Sequence, residues 1–250
     1  PMPLYGVPFG VKDNIHVAGM PTSSACDGFR HIADRTATVV ARLLDAGAIL
    51  IGKQNLDQFA TGLVGIRSPS GYCRNAFNKD YIPGGSSSGS AVAVAAGVVS
   101  FSLGSDTGGS GRVPAALNNI VGLKPTCGLA SSAGLVYNNR SFDCVPVFAL
   151  TCDDSYRVLE VMRGHDPRDP YSREDADTIP LDAPPMPRFR FAVPAASALT
   201  FFGDAAAQAQ FARALEQLRR LGGEPVEIDF APFLEAGRML FNGPLLAERQ

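Results

Sequence analysis

Three short stretches of this 250-residue chain concentrate side chains able to carry out acyl transfer. The first, Gly6-Val-Pro-Phe-Gly-Val-Lys12-Asp13-Asn14, embeds one lysine in an apolar setting rich in Gly and Pro. The second, Pro83-Gly84-Gly85-Ser86-Ser87-Ser88-Gly89-Ser90, is dense in hydroxyls. The third, Gly104-Ser105-Asp106-Thr107-Gly108-Gly109-Ser110-Gly111-Arg112, sets another serine among glycines. A serine hydroxyl becomes a nucleophile only when a neighbouring base takes its proton. Lysine, with a reference pKa of about 10.4, becomes that base where burial penalises its charge. Glycines let a loop aim several backbone N–H groups at one point without Cβ clashes, as a developing oxyanion requires.

Each Gly-rich stretch taken alone also reads as a pair of turns. Two of them bracketing one helix–strand unit favour a site. Gly85-Ser-Ser87-Ser-Gly89 also fits the G-x-S-x-G nucleophile elbow. Ser87 would then need an acid and a histidine further along, and the one downstream histidine in this chain is His165. Gly47-Ala-Ile-Leu-Ile-Gly52-Lys53 matches the P-loop spacing, but its apolar interior reads as a buried strand and Gln54 lacks the hydroxyl that holds magnesium. The five cysteines, at 26, 73, 127, 144 and 152, form no C-x-x-C pair, so no metal centre is expected and reduced thiols of a cytoplasmic protein are. Asn139-Arg140-Ser141 reads as a chance glycosylation sequon.

The elements that must position these residues follow from periodicity. Val39, Val40, Leu43 and Leu44 lie at helical spacing, with Asp34 or Thr36 as cap and Gly47 as stop. Ala48 to Ile51 then reads as a buried strand. Ser90–Ala96 is a small-residue helix ended by Gly97, and Val98–Leu103 a strand. A third helix is predicted over 155–163, with Asp153, Asp154 or Ser155 at its start. Residues 164–188 shift to Asp, Arg and Pro, as expected of a surface crossing outside the core. Arg190–Val193 and Pro225–Phe230 are strand candidates, separated by an amphipathic helix over Ala205–Leu221 whose stripe is Phe211, Leu215, Leu218 and Leu221. Helix–strand alternation points to an α/β sheet covered on its faces. The formal net charge of −2 gives no electrostatic case for nucleic acid or an anionic membrane. The chain begins at Pro1 and stops within an apolar segment, so a fragment of a longer polypeptide is expected.

The three stretches together resemble the amidase signature family of Ser-Ser-Lys hydrolases, densely over about the first 160 residues and more loosely beyond. Within that family the wording is most similar to the allophanate hydrolases. It is carried by Asn55-Leu-Asp-Gln-Phe-Ala-Thr-Gly62-Leu-Val-Gly-Ile-Arg67, Cys73-Arg-Asn-Ala-Phe77, Arg112 to Thr126, Arg140-Ser-Phe-Asp-Cys144 and Phe148-Ala-Leu-Thr151. Ser88 stands where the family has Gly, and Ser105 where Thr is common, neither change being expected to touch a catalytic group.

The resemblance implies a mixed β-sheet core with helices on both faces, incomplete in this chain, and one partial amidase domain over residues 1–250. It makes Lys12 the catalytic base, Ser86 the bridging serine after a cis Gly85–Ser86 peptide, and Ser110 the nucleophile. The N–H groups of Thr107, Gly108, Gly109 and Ser110 become the oxyanion hole, with Asp106 and Arg112 as structural supports. Substrate contacts fall to Gly62, Arg249 and Phe241, the last standing where the branch usually has Tyr. No cofactor is implied. Implied partners are a small amide substrate, a second copy of the chain as in the pairs family members form, and a urea carboxylase, fused or separate. The competing assignment within the family is the glutaminase component of a tRNA-dependent amidotransferase.

Overall fold

Side chains along a strand alternate between faces, and strand β1 (Pro8–Lys12) uses that alternation to separate its core from its chemistry. Phe9 and Val11 join the larger apolar cluster, while Gly10 and Lys12 point the other way. The computed structural model describes residues 2–181, 186–240, 242 and 247. Its first compact unit, Pro1–Leu181, contains β1, the short strands β2 (Pro21–Thr22) and β3 (His31–Ile32), helix α1 (Thr38–Asp45) and β4 (Ile49–Gln54). Helix α2 (Ser88–Ala95), β5 (Phe101–Leu103), α3 (Arg112–Leu117), β6 (Val121–Leu123), β7 (Val147–Ala149) and α4 (Cys152–Met162) complete it.

The central sheet runs β4-β1-β5-β7-β6. Strands β4, β1 and β5 are parallel, and β7 is antiparallel to both its neighbours, so the sheet is mixed. Helices cover both faces. Val39, Val40 and Leu43 of α1 and Val158, Leu159 and Met162 of α4 pack with Val11, Leu103 and Val147 on one side. Ala91 and Val94 of α2 and Ala115 of α3 pack on Phe148 on the other. The Phe9 and Phe101 rings stack at 5.1 Å between adjacent parallel strands. The mixed sheet between two helical layers agrees with the expected fold class.

Several expected details differ. Helix α1 starts at Thr38 without a side-chain cap, because the Thr36 hydroxyl instead accepts from the Ala18 N–H at 3.0 Å. Leu44 is 38% exposed, outside the buried stripe of Val39, Val40 and Leu43. Helix α4 begins earlier than predicted, at Cys152, where the Thr151 hydroxyl caps it by accepting from Asp154 N–H. The crossing after α4 is not all surface. Ala176 is fully buried in the main cluster, and the Asp166 carboxylate accepts from the hydroxyls of Thr38 and Ser131 and from Arg168. Composition alone does not reveal this, since a carboxylate can be buried once enough donors surround it.

The second unit, Asp182–Ala247, contains β8 (Phe189–Pro194), α5 (Ala205–Arg220), β9 (Gly223–Ile228) and α6 (Ala231–Met239). Strands β8 and β9 are parallel neighbours joined through α5, a βαβ unit. Asp204 caps α5 by accepting from Ala207 N–H at 2.9 Å, and Gly222 (φ +93°) follows its end. No described helix is long and apolar enough to cross a membrane.

The α1 face gives a direct test of this packing. Leu43→Ala should destabilise the protein by about 2–5 kcal/mol, as expected of a fully enclosed leucine. Leu44→Ala, one position along, should change it by about 0.5 kcal/mol or less. Urea denaturation midpoints of the two variants would measure the difference.

Candidate active site

Lys12 occupies the last position of β1, at the carboxyl ends of the parallel strands, on the face that α2 covers. Sites in α/β sheets form at such strand ends. Its side chain has no solvent exposure. Lys12 Nζ donates to Ser86 Oγ at 2.7 Å and to Ser105 Oγ at 2.8 Å. Burial pushes its pKa down to about 7, against the opposing pull of the Asp143, Asp106 and Asp57 carboxylates. The amine is therefore poised near neutrality, as a general base must be.

Ser105 corrects the sequence reading, which places its substitution away from any catalytic group. Its hydroxyl is a direct partner of Lys12 and also accepts from Asn14 Nδ2 at 3.0 Å. The substituted position belongs to the lysine's own cage. A hydroxyl is present with either Ser or Thr, which is why the wording can vary there.

Ser86 is fully buried and follows a cis Gly85–Ser86 peptide. A Cβ at position 85 would lie 2.2 Å from Asp57 Oδ2, so only glycine fits beneath that carboxylate. Asp57 is itself buried and shapes the loop that follows it. It accepts from Gly65 N–H at 2.9 Å and Arg67 N–H at 2.8 Å, while its own N–H donates to the Ser86 carbonyl at 3.0 Å. Gly62 lies on this loop with φ +125°. The neighbouring Leu63 accepts from Gly85 N–H at 2.9 Å, and its side chain lies against Gly109. The loop bearing Gly62 thus borders both serine-rich stretches.

Ser110 stands on the 104–111 loop and is 5% exposed. Its carbonyl accepts from Ser87 N–H at 3.4 Å, which joins the two hydroxyl-bearing loops. The Lys12–Ser86 hydrogen bond is formed, whereas Ser110 Oγ makes none among the described residues. Ser87, the nucleophile of the elbow alternative, is fully buried and its hydroxyl is committed to the Ser105 carbonyl at 3.1 Å.

Asp106 holds the 104–111 loop from within. One oxygen accepts from Gly109 N–H and the other from Gly111 N–H, both at 2.8 Å. Arg112 grips the same carboxylate with Nη2 at 2.9 Å and Nε at 3.1 Å. Burial alone would raise the Asp106 pKa, but the Arg112 and backbone hydrogen bonds outweigh it and hold the group below the ordinary carboxylate value. This arrangement corrects one expected role. The Gly109 N–H is spent on Asp106, whereas the N–H groups of Thr107, Gly108 and Ser110, expected beside it as oxyanion donors, have no acceptor among the described residues. Thr107 is fixed in turn, its hydroxyl donating to the buried Asp143. Asp143 also accepts from Asn138 N–H at 2.7 Å, and burial raises its pKa. Phe241 and Arg249 lie outside the described residues.

The family model for amidases matches residues 1–249. Urea amidolyase of Saccharomyces cerevisiae is 48% identical over 251 residues, which is 99% of this chain and 13% of that protein. A structure of Kluyveromyces lactis allophanate hydrolase superposes with a TM-score of 0.90 at 46% identity, over 99% of this chain and 40% of that one. The A-type component of the glutamyl-tRNA(Gln) amidotransferase from Deinococcus deserti is 48% identical over 187 residues, 73% of this chain and 38% of that protein. This chain therefore spans well under half the length of these relatives. Matched along nearly its whole length in sequence and in fold, the chain belongs to the amidase family.

Proposed function

We propose that Lys12, Ser86 and Ser110 form a proton relay that hydrolyses the terminal amide of allophanate, and that residues 1–250 are one partial amidase domain of a longer enzyme. The observation that carries the chemistry is the buried Lys12 amine, its pKa pushed down to about 7, hydrogen-bonded to Ser86. The likeness to a urea amidolyase and an allophanate hydrolase over 99% of the chain supports the substrate, against 73% for the amidotransferase component. The same likeness supports action beside a urea carboxylase, fused or separate.

Neutral Lys12 accepts the Ser86 proton as Ser86 takes that of Ser110, and Ser110 Oγ attacks the terminal carbamoyl carbon. The Thr107, Gly108 and Ser110 N–H groups receive the oxyanion. The relay then runs backward, giving the proton to the departing ammonia and leaving an acyl-Ser110 ester. Water, deprotonated by the same relay, releases the N-carboxycarbamate product, which decomposes to carbon dioxide and ammonia. Arg249 is assigned the substrate carboxylate, where a planar guanidinium suits paired oxygens. Gly62 and Phe241 are assigned to flank the substrate.

Full-length protein should release ammonia from allophanate and not from glutamine; the reverse preference would assign the amidotransferase reading. Arg249→Gln should raise KM about 10- to 100-fold for allophanate and far less for an uncharged amide. Ser110→Ala and Lys12→Met should each lower kcat/KM by about 10⁴-fold or more.

The relay requires the uncharged amine, so kcat/KM should climb with pH through about 7 and then level. Stability follows the same group. Between about pH 7 and the ordinary lysine value the unfolded chain binds more protons than the folded one, so stability rises with pH across that window. Lys12→Met should remove this rise, as read from denaturant midpoints across that range.

The Ser105 hydroxyl should matter through Lys12. Ser105→Thr should retain activity, whereas Ser105→Val should lose about 10²-fold in kcat and shift the ascending limb toward acid, because the Lys12 ammonium loses an acceptor that stabilises it. Rate–pH profiles of the two variants would separate this from a general loss of packing.

A further inference from the structure

The approach to Gly62 runs through backbone that side chains with a Cβ disfavour. Phe59 and Ala60 both take left-handed conformations, at φ +50° and +55°. Two such residues in succession persist only where the surroundings fix them. Local bonds fix part of the turn. Phe59 N–H donates to the Ser24 carbonyl and Ala60 N–H to the Asp57 carbonyl, both at 2.9 Å. The carbonyls of the same two residues are met by one side chain from far along the chain. Asn138 Nδ2 donates to the Ala60 carbonyl at 3.0 Å, to the Phe59 carbonyl at 3.3 Å and to Thr61 Oγ1 at 3.2 Å. Asn138 is buried, and its backbone reaches the other way. Its N–H donates to Asp143 Oδ2 at 2.7 Å, and Asp143 Oδ1 accepts from the Thr107 hydroxyl on the 104–111 loop. One residue thereby ties the approach to Gly62 to the loop that bears Ser110.

We propose that Asn138 is a positioning residue for substrate binding, its amide holding the left-handed Phe59–Ala60 turn and so setting where Gly62 lies relative to the 104–111 loop. An amide suits this task because its NH₂ supplies two donors in one plane, and the acceptors here are two successive carbonyls and a hydroxyl. Without those donors, Phe59 and Ala60 relax toward right-handed backbone and carry Gly62 with them. The Lys12–Ser86 hydrogen bond is made by β1 and the 83–90 stretch, which the turn does not include. Losing the amide therefore weakens substrate binding ahead of relay chemistry.

The effect on binding rests on the proposed hydrolase function, but the clamp on the turn does not. Asn138→Leu keeps a side chain of similar size and the backbone N–H to Asp143, and removes only the side-chain donor. In full-length protein it should raise KM for allophanate about tenfold while kcat stays within about twofold of wild type. A fluorophosphonate should still label Ser110 at the wild-type rate. Hydrogen exchange over residues 57–65 should quicken about tenfold, with β1 keeping its protection. Adding Ala60→Gly, which takes left-handed backbone without a Cβ penalty, should bring KM back toward wild type. An unchanged KM with unchanged exchange over 57–65 would overturn the proposal. So would a fall in kcat and in Ser110 labelling alongside the rise in KM, the pattern of a general loss of packing. Quickened exchange in a protein that hydrolyses no allophanate would leave the clamp standing and remove only the reading of the activity.

Discussion

An amine sealed from water at the end of a parallel strand is the constraint around which this molecule is organised. A lysine at that depth is costly in its charged form, and the fold meets the cost by letting the group approach neutrality. It does not leave the nitrogen unpaired. Ser86 and Ser105 each offer a hydroxyl within 2.8 Å, so the neutral amine keeps the hydrogen bonds that water would have supplied. The strand period places Lys12 on the α2 side, while Phe9 and Val11 anchor β1 in the opposite layer.

Three buried carboxylates surround the amine, and each does more than set its charge. Asp57 forms the loop that carries Gly62, Asp106 folds the loop that carries Ser110, and Asp143 pins Thr107. All three draw the lysine pKa upward against desolvation. The value near 7 is thus a compromise between burial and loop architecture. Loop shape and base strength share the same atoms, so neither can be changed alone.

Much of this is legible in the sequence. Helices α1, α2 and α5 and the strands after them announce themselves through apolar periodicity and terminal glycines, signals that are local, but β4, expected to be buried, is an edge strand with Ile49 and Ile51 exposed. Lys12 and Ser86 stand out in three short motifs, and the cis peptide before Ser86 is what the family resemblance implies. The features that escape are non-local or locally contradictory. Helix α3 contains Pro114, which a helix tolerates in its first turn but which reads as a breaker from sequence. Asp57 and Asp143 look like ordinary polar loop residues until the fold brings Gly65, Arg67, Asn138 and Thr107 to them. Ser105 reads as loop wording because nothing along the chain shows that its hydroxyl reaches a lysine 93 positions away. Gly109 passes for an oxyanion donor because spacing cannot tell which N–H a neighbouring carboxylate will claim.

The shared part of the site also constrains where substrate choice can reside. Lys12, Ser86 and the 104–111 loop are held by buried hydrogen bonds that they share, so a change at one of them disturbs the others. The amidotransferase relative matches this chain at 48% identity across 73% of it. The expected substrate contact at Gly62 lies on a separate loop, the one that Asp57 shapes. A glycine at 62 leaves Arg67 Cδ only 3.0 Å from where a Cβ would sit, so even that loop is shaped by close contact. In this molecule the positions of Lys12, Ser86 and the loop bearing Ser110 are set by the same buried hydrogen bonds.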